Sequence, residues 1–273
     1  MQIKKISFIG AGNMTHSIIM GLVASGYPAD SIMATNPSTD KLTQLETTSG
    51  IRVSTCNDAG IIFADIIILA VKPQIMADVL KALDNTNIRP ETVFISLAAG
   101  ITIPRLSEML PQARKWIRAM PNTPSAVGLG MTGLYASAAV GEEDRALCSK
   151  IMAAIGEILW VDDEQKIDAI IAAAGSAPAY FFLFLEAMQN EAEIMGFDHR
   201  QSRLLVQQAM RGAAEMVVKY DNVELATLRH KVTSKGGTTA EAINILLDGR
   251  MPDLISRAMR AAVKRAHQMS SQF

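Results

Sequence analysis

Phe8-Ile9-Gly10-Ala11-Gly12-Asn13-Met14-Thr15 is the stretch from which the fold is read. It follows an apolar run, Ile6 to Ile9, and opens onto Ser17 to Val23, where Ile18, Ile19 and Leu22 form a packing face at helical spacing. Strand, glycine turn and helix in that order predict a dinucleotide site. Gly10 permits the tight turn and Gly12 lets backbone approach a pyrophosphate, whose charge the free amides at the helix start would face. Thr15 occupies the third small position, where glycine or alanine is usual, so close helix-on-strand packing is the feature this sequence leaves open.

The next apolar strand, Ser31 to Thr35, ends in Thr35-Asn36-Pro37-Ser38-Thr39 with no acidic residue. An acid there would bind the ribose of NAD and repel a 2′-phosphate. Asn36, Ser38, Thr39 and Lys41 can instead donate hydrogen bonds to that phosphate, so NADPH is expected over NADH, with NADH possible. The same residues would also serve simply to turn the chain and cap the following helix.

At 273 residues with 49% hydrophobic composition, the chain can bury a sizeable core. The net charge is −1, from 26 basic and 27 acidic residues, and no basic cluster is interleaved with aromatics, so nucleic acid is not an expected partner. Cys56 and Cys148 form neither a disulfide framework nor a CxxC pair, which fits a reducing compartment. No metal-ligand spacing is present, and no metal is expected. Met1 to Lys5 runs directly into the first strand without a leader pattern. No apolar run is read as long enough to span a membrane; the longest candidate, Ile61 to Val71, contains Asp65. A cytoplasmic protein is expected.

Up to Trp160–Gln165, β-rich runs alternate with helical patterns: Ile6 to Ile9, Ser31 to Thr35, Ile51 to Val53, Ile66 to Ala70, Val93 to Leu97, Trp116 to Met120 and Gly133 to Ala136. This predicts a Rossmann-type α/β domain over residues 1–162, a doubly wound and mostly parallel sheet. Ile66 to Ala70 is apolar on both faces, as a central strand must be. Residues 163–273 lose the β-rich runs and read as an all-α domain. Its breaks are Gly175-Ser176-Ala177-Pro178, Gly196-Phe197-Asp198, Gly236-Gly237 and Gly249 to Pro252. Phe181 to Leu185 is apolar all round, and so few residues seldom enclose such a helix alone; a homodimer through this half is expected.

Open α/β sheets bind ligands beyond the carboxyl ends of their strands. Three stretches fall there: Ala70-Val71-Lys72-Pro73, Ala98-Ala99-Gly100 and Met120-Pro121-Asn122-Thr123-Pro124. Lys72 is placed to contact cofactor or to be solvated, and Asn122 to orient substrate or cap a turn. Near the end of the chain, Ser234-Lys235-Gly236-Gly237-Thr238-Thr239-Ala240-Glu241 has two compatible readings. Thr238 and Glu241 have the spacing of a capping box. The amides of Gly237, Thr238 and Thr239, with the Ser234 hydroxyl, would also make a carboxylate site at a helix N-terminus.

Taken together, the chain resembles the pyrroline-5-carboxylate reductases over essentially its whole length. The matching pieces are Phe-Ile-Gly-Ala-Gly-Asn-Met at 8–14, Ala-Val-Lys-Pro at 70–73, Ala-Ala-Gly at 98–100, Met-Pro-Asn-Thr-Pro at 120–124, Ala-Pro-Ala-Tyr at 177–180 and the segment 232–239. The resemblance implies a Rossmann domain for NAD(P)H, an interlocked helical dimerisation domain and often a ring of dimers such as a decamer. It implies that Gly10, Ala11, Gly12, Asn13 and Met14 grip the pyrophosphate, Asn36 and Asn57 the adenosine side, and Ala70, Val71, Lys72, Pro73, Ala98, Ala99 and Gly100 the nicotinamide side. Ser234, Gly236, Gly237, Thr238 and Asn122 would hold 1-pyrroline-5-carboxylate, and Thr239 would hydrogen-bond its ring nitrogen on the way to L-proline. Lys235 stands where the family usually has proline, Ala177 where it usually has glycine, and Thr15 and His16 where it usually has small residues. The four histidines are expected in surface or packing roles. The competing readings are a β-hydroxyacid-dehydrogenase-like enzyme, which would present a catalytic lysine on a long helix, and a non-catalytic NADP(H) sensor, which would not need the 234–239 segment.

Overall fold

The computed structural model describes residues 3–270. The first half alternates as its periodicity predicts. It runs β1 (Ile6–Ile9), α1 (Asn13–Ala24), β2 (Ile32–Thr35), α2 (Thr39–Ser49), β3 (Arg52–Ser54), α3 (Asn57–Phe63), β4 (Ile66–Leu69), α4 (Pro73–Lys81), β5 (Val93–Ser96), α5 (Ile103–Met109) and β6 (Lys115–Met120). Then follow β7 (Gly130–Ala136), α6 (Glu142–Ala153) and β8 (Gly156–Trp160). One eight-stranded sheet forms in the order β3-β2-β1-β4-β5-β6-β7-β8, and only the β6–β7 pair is antiparallel. The order reverses between β1 and β4, which places the topological switch point beside the glycine turn.

Strand periodicity sorts the core into two layers. Ile6, Phe8, Ile66, Ile68, Ile95 and Ile117 face one layer with Ile18, Ile19 and Leu22 of α1 and Cys148, Ile151 and Met152 of α6. Ile9, Ile67, Leu69, Phe94 and Trp116 face the other, against Ile61, Met76, Leu80 and Leu106. The central strand β4 is buried along its whole length, as its unbroken apolar run requires.

β8 is a strand the β-rich runs did not announce. Its residues alternate between half-buried and exposed with none fully buried, and it pairs in parallel with β7 at the sheet's edge. Gly156, at φ +141°, lies so close to Gly130 that any Cβ would strike that backbone. This edge position needs glycine rather than the β-branched residues that mark a strand in sequence.

The chain forms two compact units, Met1–Ser176 with Ala261–Phe273, and Ala177–Arg260. The change of sequence pattern at 162/163 therefore lies inside the first unit, because α7 (Lys166–Ile170) packs on β6 and β7. The second unit contains α8 (Ala177–Ile194), α9 (His199–Lys219), α10 (Leu225–Lys231), α11 (Thr238–Asp248) and the start of α12 (Met251–Ser270). Asp198 and Gln201 close a capping box at the start of α9, fixing the break after Gly196.

The break expected at Gly175–Pro178 is found: Ser176 lies outside both helices and α8 begins at Ala177, where the two units also divide. A π-helical turn, Ile171–Gly175, links α7 to α8, and Pro178 sits in the first turn of α8, where its missing N–H costs no hydrogen bond. The expectation that no apolar stretch reaches membrane-spanning length is corrected. Lys166–Ile194 makes one helical segment of 29 residues, long and apolar enough to cross a bilayer by length and composition alone. Its Phe181, Phe182 and Leu183 are 56%, 65% and 68% exposed in the single chain, so this face requires a cover from outside it.

Candidate functional site

The glycine turn is held from three sides. Gly10 has φ +106°, and a Cβ on it would lie 2.8 Å from the Ala70 carbonyl oxygen, so conformation and space both demand glycine. Its amide donates to the Thr35 carbonyl (2.8 Å), and its own carbonyl accepts from the Thr15 hydroxyl (2.7 Å). The Ala11 amide donates to the Asn36 side chain at 3.4 Å. Thr15 is fully buried and thus acts as a brace under the turn. Close helix-on-strand packing, left open at position 15, is present at Gly60 of α3, whose Cβ would run into the Ser7 hydroxyl.

Gly12 caps α1 without a side-chain cap, and among the described residues nothing beyond its chain neighbours lies within 4 Å of where its Cβ would stand. The first turn of α1 carries no acidic residue. A cavity of about 350 Å³ opens there, lined by Ala11, Gly12, Asn13, His16, Lys41 and Gln44 among others. An open cradle at Gly12, helix amides directed into it and a lysine on the wall suit a phosphate-bearing dinucleotide. Asn36 is folded back on its own loop, donating to the Ser38 carbonyl at 3.1 Å, and Asn57 accepts from the Thr35 hydroxyl at 2.7 Å.

The remaining rim residues follow the neighbouring strands. Ala70 and Val71 leave β4, and Lys72 caps α4 with Pro73 at its first position; the lysine is exposed. Ala98, Ala99 and Gly100 leave β5, with the Ala98 amide held by the Ser96 hydroxyl at 3.3 Å and Gly100 at φ +75°. Gly10–Met14, Asn36, Asn57, Ala70–Pro73 and Ala98–Gly100 thus share one rim of the sheet. Asn122 follows β6 on that rim, and both ends of its amide are engaged by the protein. Its Nδ2 donates to the Ala174 carbonyl (3.0 Å), and its Oδ1 accepts from the Met131 amide (2.8 Å).

In the second unit, Ser234 to Gly237 form a turn closed by the Gly237 amide on the Ser234 carbonyl at 2.9 Å, with Gly236 at φ +69°. Two expectations change here. Gly237, not Thr238, is the N-cap of α11 and no side chain caps it, so Thr238 and Glu241 make no capping box. The reason is the turn itself, which brings Gly237 rather than Thr238 to the helix entrance. The Gly237 amide is consumed by the turn, whereas no acceptor among the described residues takes the Thr238 or Thr239 amides. Those two amides and the exposed Ser234 hydroxyl are what remains for an anion.

One polar group escaped the sequence reading. Arg118, inside the apolar strand Trp116 to Met120, is 3% exposed and faces Glu164 at 3.1 Å and Asp168 at 3.8 Å. His267 Nε2 lies 3.2 Å from the second oxygen of Asp168. The only signal available was an arginine where a strand should be apolar.

Comparison with known proteins extends the picture beyond geometry. Residues 164–269 match the family described as pyrroline-5-carboxylate reductase dimerisation, and residues 5–100 match the family of NADP oxidoreductases dependent on coenzyme F420. A pyrroline-5-carboxylate reductase from Vibrio alginolyticus is 52% identical over 276 residues, covering all of both chains. The structure of a pyrroline-5-carboxylate reductase from Coxiella burnetii superposes with a TM-score of 0.93 at 40% identity, covering 98% of this chain and 99% of that one. Plasmodium falciparum pyrroline carboxylate reductase, solved with NADP bound, gives 0.86 at 28% identity and covers 99% of each.

Proposed function

The chain belongs to the pyrroline-5-carboxylate reductase family, and from that premise we infer that it reduces 1-pyrroline-5-carboxylate to L-proline with NAD(P)H, the last step of proline biosynthesis. The observation that carries this reading is the 52% identity to a pyrroline-5-carboxylate reductase over the whole of both chains, a span that includes the glycine turn and the 234–239 loop alike.

When bound, the dinucleotide supplies the hydride that converts the imine C=N into CH–NH, while the nitrogen takes a proton from water. The chain's own residues orient the reactants and exclude solvent. Gly10 to Met14 hold the pyrophosphate, with Gly12 leaving room for it and the amides opening α1 donating to it. Asn36 and Asn57 border the adenosine, and Ala70 to Pro73 with Ala98 to Gly100 border the nicotinamide half. The Thr238 and Thr239 amides and the Ser234 hydroxyl hold the substrate carboxylate, with Gly236 and Gly237 shaping the turn beneath them. The Thr239 hydroxyl positions the ring nitrogen. Asn122 acts by bracing the rim, since its amide is already engaged.

NADPH is the preferred reductant in this proposal, because β2 ends without an acid and Lys41 lines the cavity. The dimerisation-family match and the uncovered Phe181–Leu183 face support a homo-oligomer built through the helical half. A ring of dimers such as a decamer, working in the cytoplasm, completes the proposal. The test is the loss of NADPH absorbance on addition of pyrroline-5-carboxylate to purified protein. Rapid oxidation, faster than with NADH, is expected; cofactor binding without oxidation would refute the assignment.

A further inference from the structure

The group around Arg118 has no part in the chemistry above, yet it is tied to the two elements that flank the Ala98–Gly100 turn, the start of α5 and the end of α12. Upstream of α7, Glu164 Oε1 accepts from Arg118 at 3.1 Å and also from the Ile103 amide at 2.7 Å. Ile103 opens α5, three residues beyond Gly100. On the other side, Asp168 in α7 meets His267 of α12 at 3.2 Å. Two residues further along α12, Met269 covers Gly100 so closely that a Cβ on the glycine would lie 2.8 Å from the methionine Cβ.

The arrangement depends on His267. Asp168 is 6% exposed, its Oδ1 has no hydrogen-bond partner among the described residues, and the Arg118 Nη2 opposite stands 3.8 Å away, too far for a hydrogen bond. Arg118 already serves Glu164, so a half-buried and a buried carboxylate share one guanidinium. The imidazole is therefore the close polar partner of Asp168, and a buried carboxylate deprived of its partner is costly.

We propose that His267 is a positioning residue for the cofactor: through Asp168 and Arg118 it clamps the last turns of α12 onto the Ala98–Gly100 turn, fixing the rim at the end of β5. Sheet order says which part of the cofactor this concerns. With the pyrophosphate at the β1 turn and the adenosine toward β2, the other half of a dinucleotide extends over β4 and β5. This inference rests on the reading that the rim binds NAD(P)H. The ring of His267 need not touch the cofactor.

The test uses the full-length protein and compares NADPH binding, followed by its fluorescence, with binding of adenosine 2′,5′-bisphosphate, which occupies only the adenosine half. His267→Ala should weaken NADPH about tenfold through lost preorganisation, leave the adenosine fragment unchanged and leave the KM for pyrroline-5-carboxylate at saturating NADPH unchanged. His267→Gln, which keeps a donor toward Asp168, should recover most of the affinity. Unchanged NADPH binding in His267→Ala would overturn the proposal, and so would equal weakening of NADPH and the fragment. The titrations contain no substrate, so a wild-type protein that binds NADPH without oxidising it would strike the assigned reaction and leave the clamp to be judged on binding.

Discussion

The Thr15 hydroxyl donates a 2.7 Å hydrogen bond to the Gly10 carbonyl, so the first turn of α1 is tied to the turn that precedes it by a side chain where a small residue is usual. Thr15→Val keeps the volume and removes the donor, leaving a buried carbonyl short of a partner. A loss of about 1–3 kcal/mol is expected in chemical denaturation. Thr15→Ser should lose less, because it keeps the hydroxyl; if serine and valine cost the same, the hydrogen bond is not what holds the turn.

Gly10 and Gly12 should fail in different ways. Gly10→Ala meets both a positive φ and the Ala70 carbonyl, so the protein should lose stability before cofactor is considered. Gly12→Ala enters open space and should leave the melting temperature unchanged while weakening NADPH by at least about tenfold, because its Cβ occupies the pyrophosphate's approach. Tight NADPH binding by Gly12→Ala would mean that the phosphates lie elsewhere.

Lys41 lines the cavity at the start of α1 and stands in the first turn of α2. If it meets the 2′-phosphate, Lys41→Ala should weaken NADPH about tenfold by loss of a charge-assisted hydrogen bond and leave NADH alone. The quantity to measure is the ratio of the two dissociation constants. A parallel loss for both cofactors would assign Lys41 to the pyrophosphate instead.

Lys235 occupies the second position of a turn whose third residue, Gly236, has φ +69°, and among the described hydrogen bonds its amide donates to none. Proline suits that position. Lys235→Pro should raise stability by about 0.4–1 kcal/mol and lower the KM for pyrroline-5-carboxylate by preorganising the loop. A higher KM would show that the lysine charge itself attracts the substrate.

Burial pushes the Cys148 thiol up from 9.0 to about 12. Its folded value lies above its unfolded one, so its contribution to stability is complete below about pH 9 and is lost as the pH rises toward 12, where the unfolded chain releases the proton first. Alkaline unfolding should therefore be shallower in Cys148→Ala. Thiol reagents at neutral pH should label exposed Cys56 and spare Cys148 until the protein unfolds.

Much of the first unit was legible in residue order. β1 spans the expected residues, β4 is buried from end to end, and the glycine turn stands at the switch point its pattern required. The misreadings share a cause. β8 escaped because its place beside Gly130 called for glycine. At the 234–239 loop, spacing alone could not distinguish a threonine cap from a glycine cap set by a preceding turn.

By itself, the sequence determined the succession of strands and helices, the dinucleotide turn and the family, because periodicities of two and 3.6 residues and a short glycine motif are local properties of a chain. The tertiary structure alone decided that Thr15 braces the turn, that Gly60 supplies the close helix packing, and that Asn122 is engaged at both ends. It also decided that Arg118 draws Glu164 and Asp168 around it, with His267 beyond. Glu164 and Ile103 are 61 residues apart, and no local pattern encodes such a meeting; it follows from the sheet burying Arg118, whose charge must then be matched by whatever carboxylates the fold brings within reach.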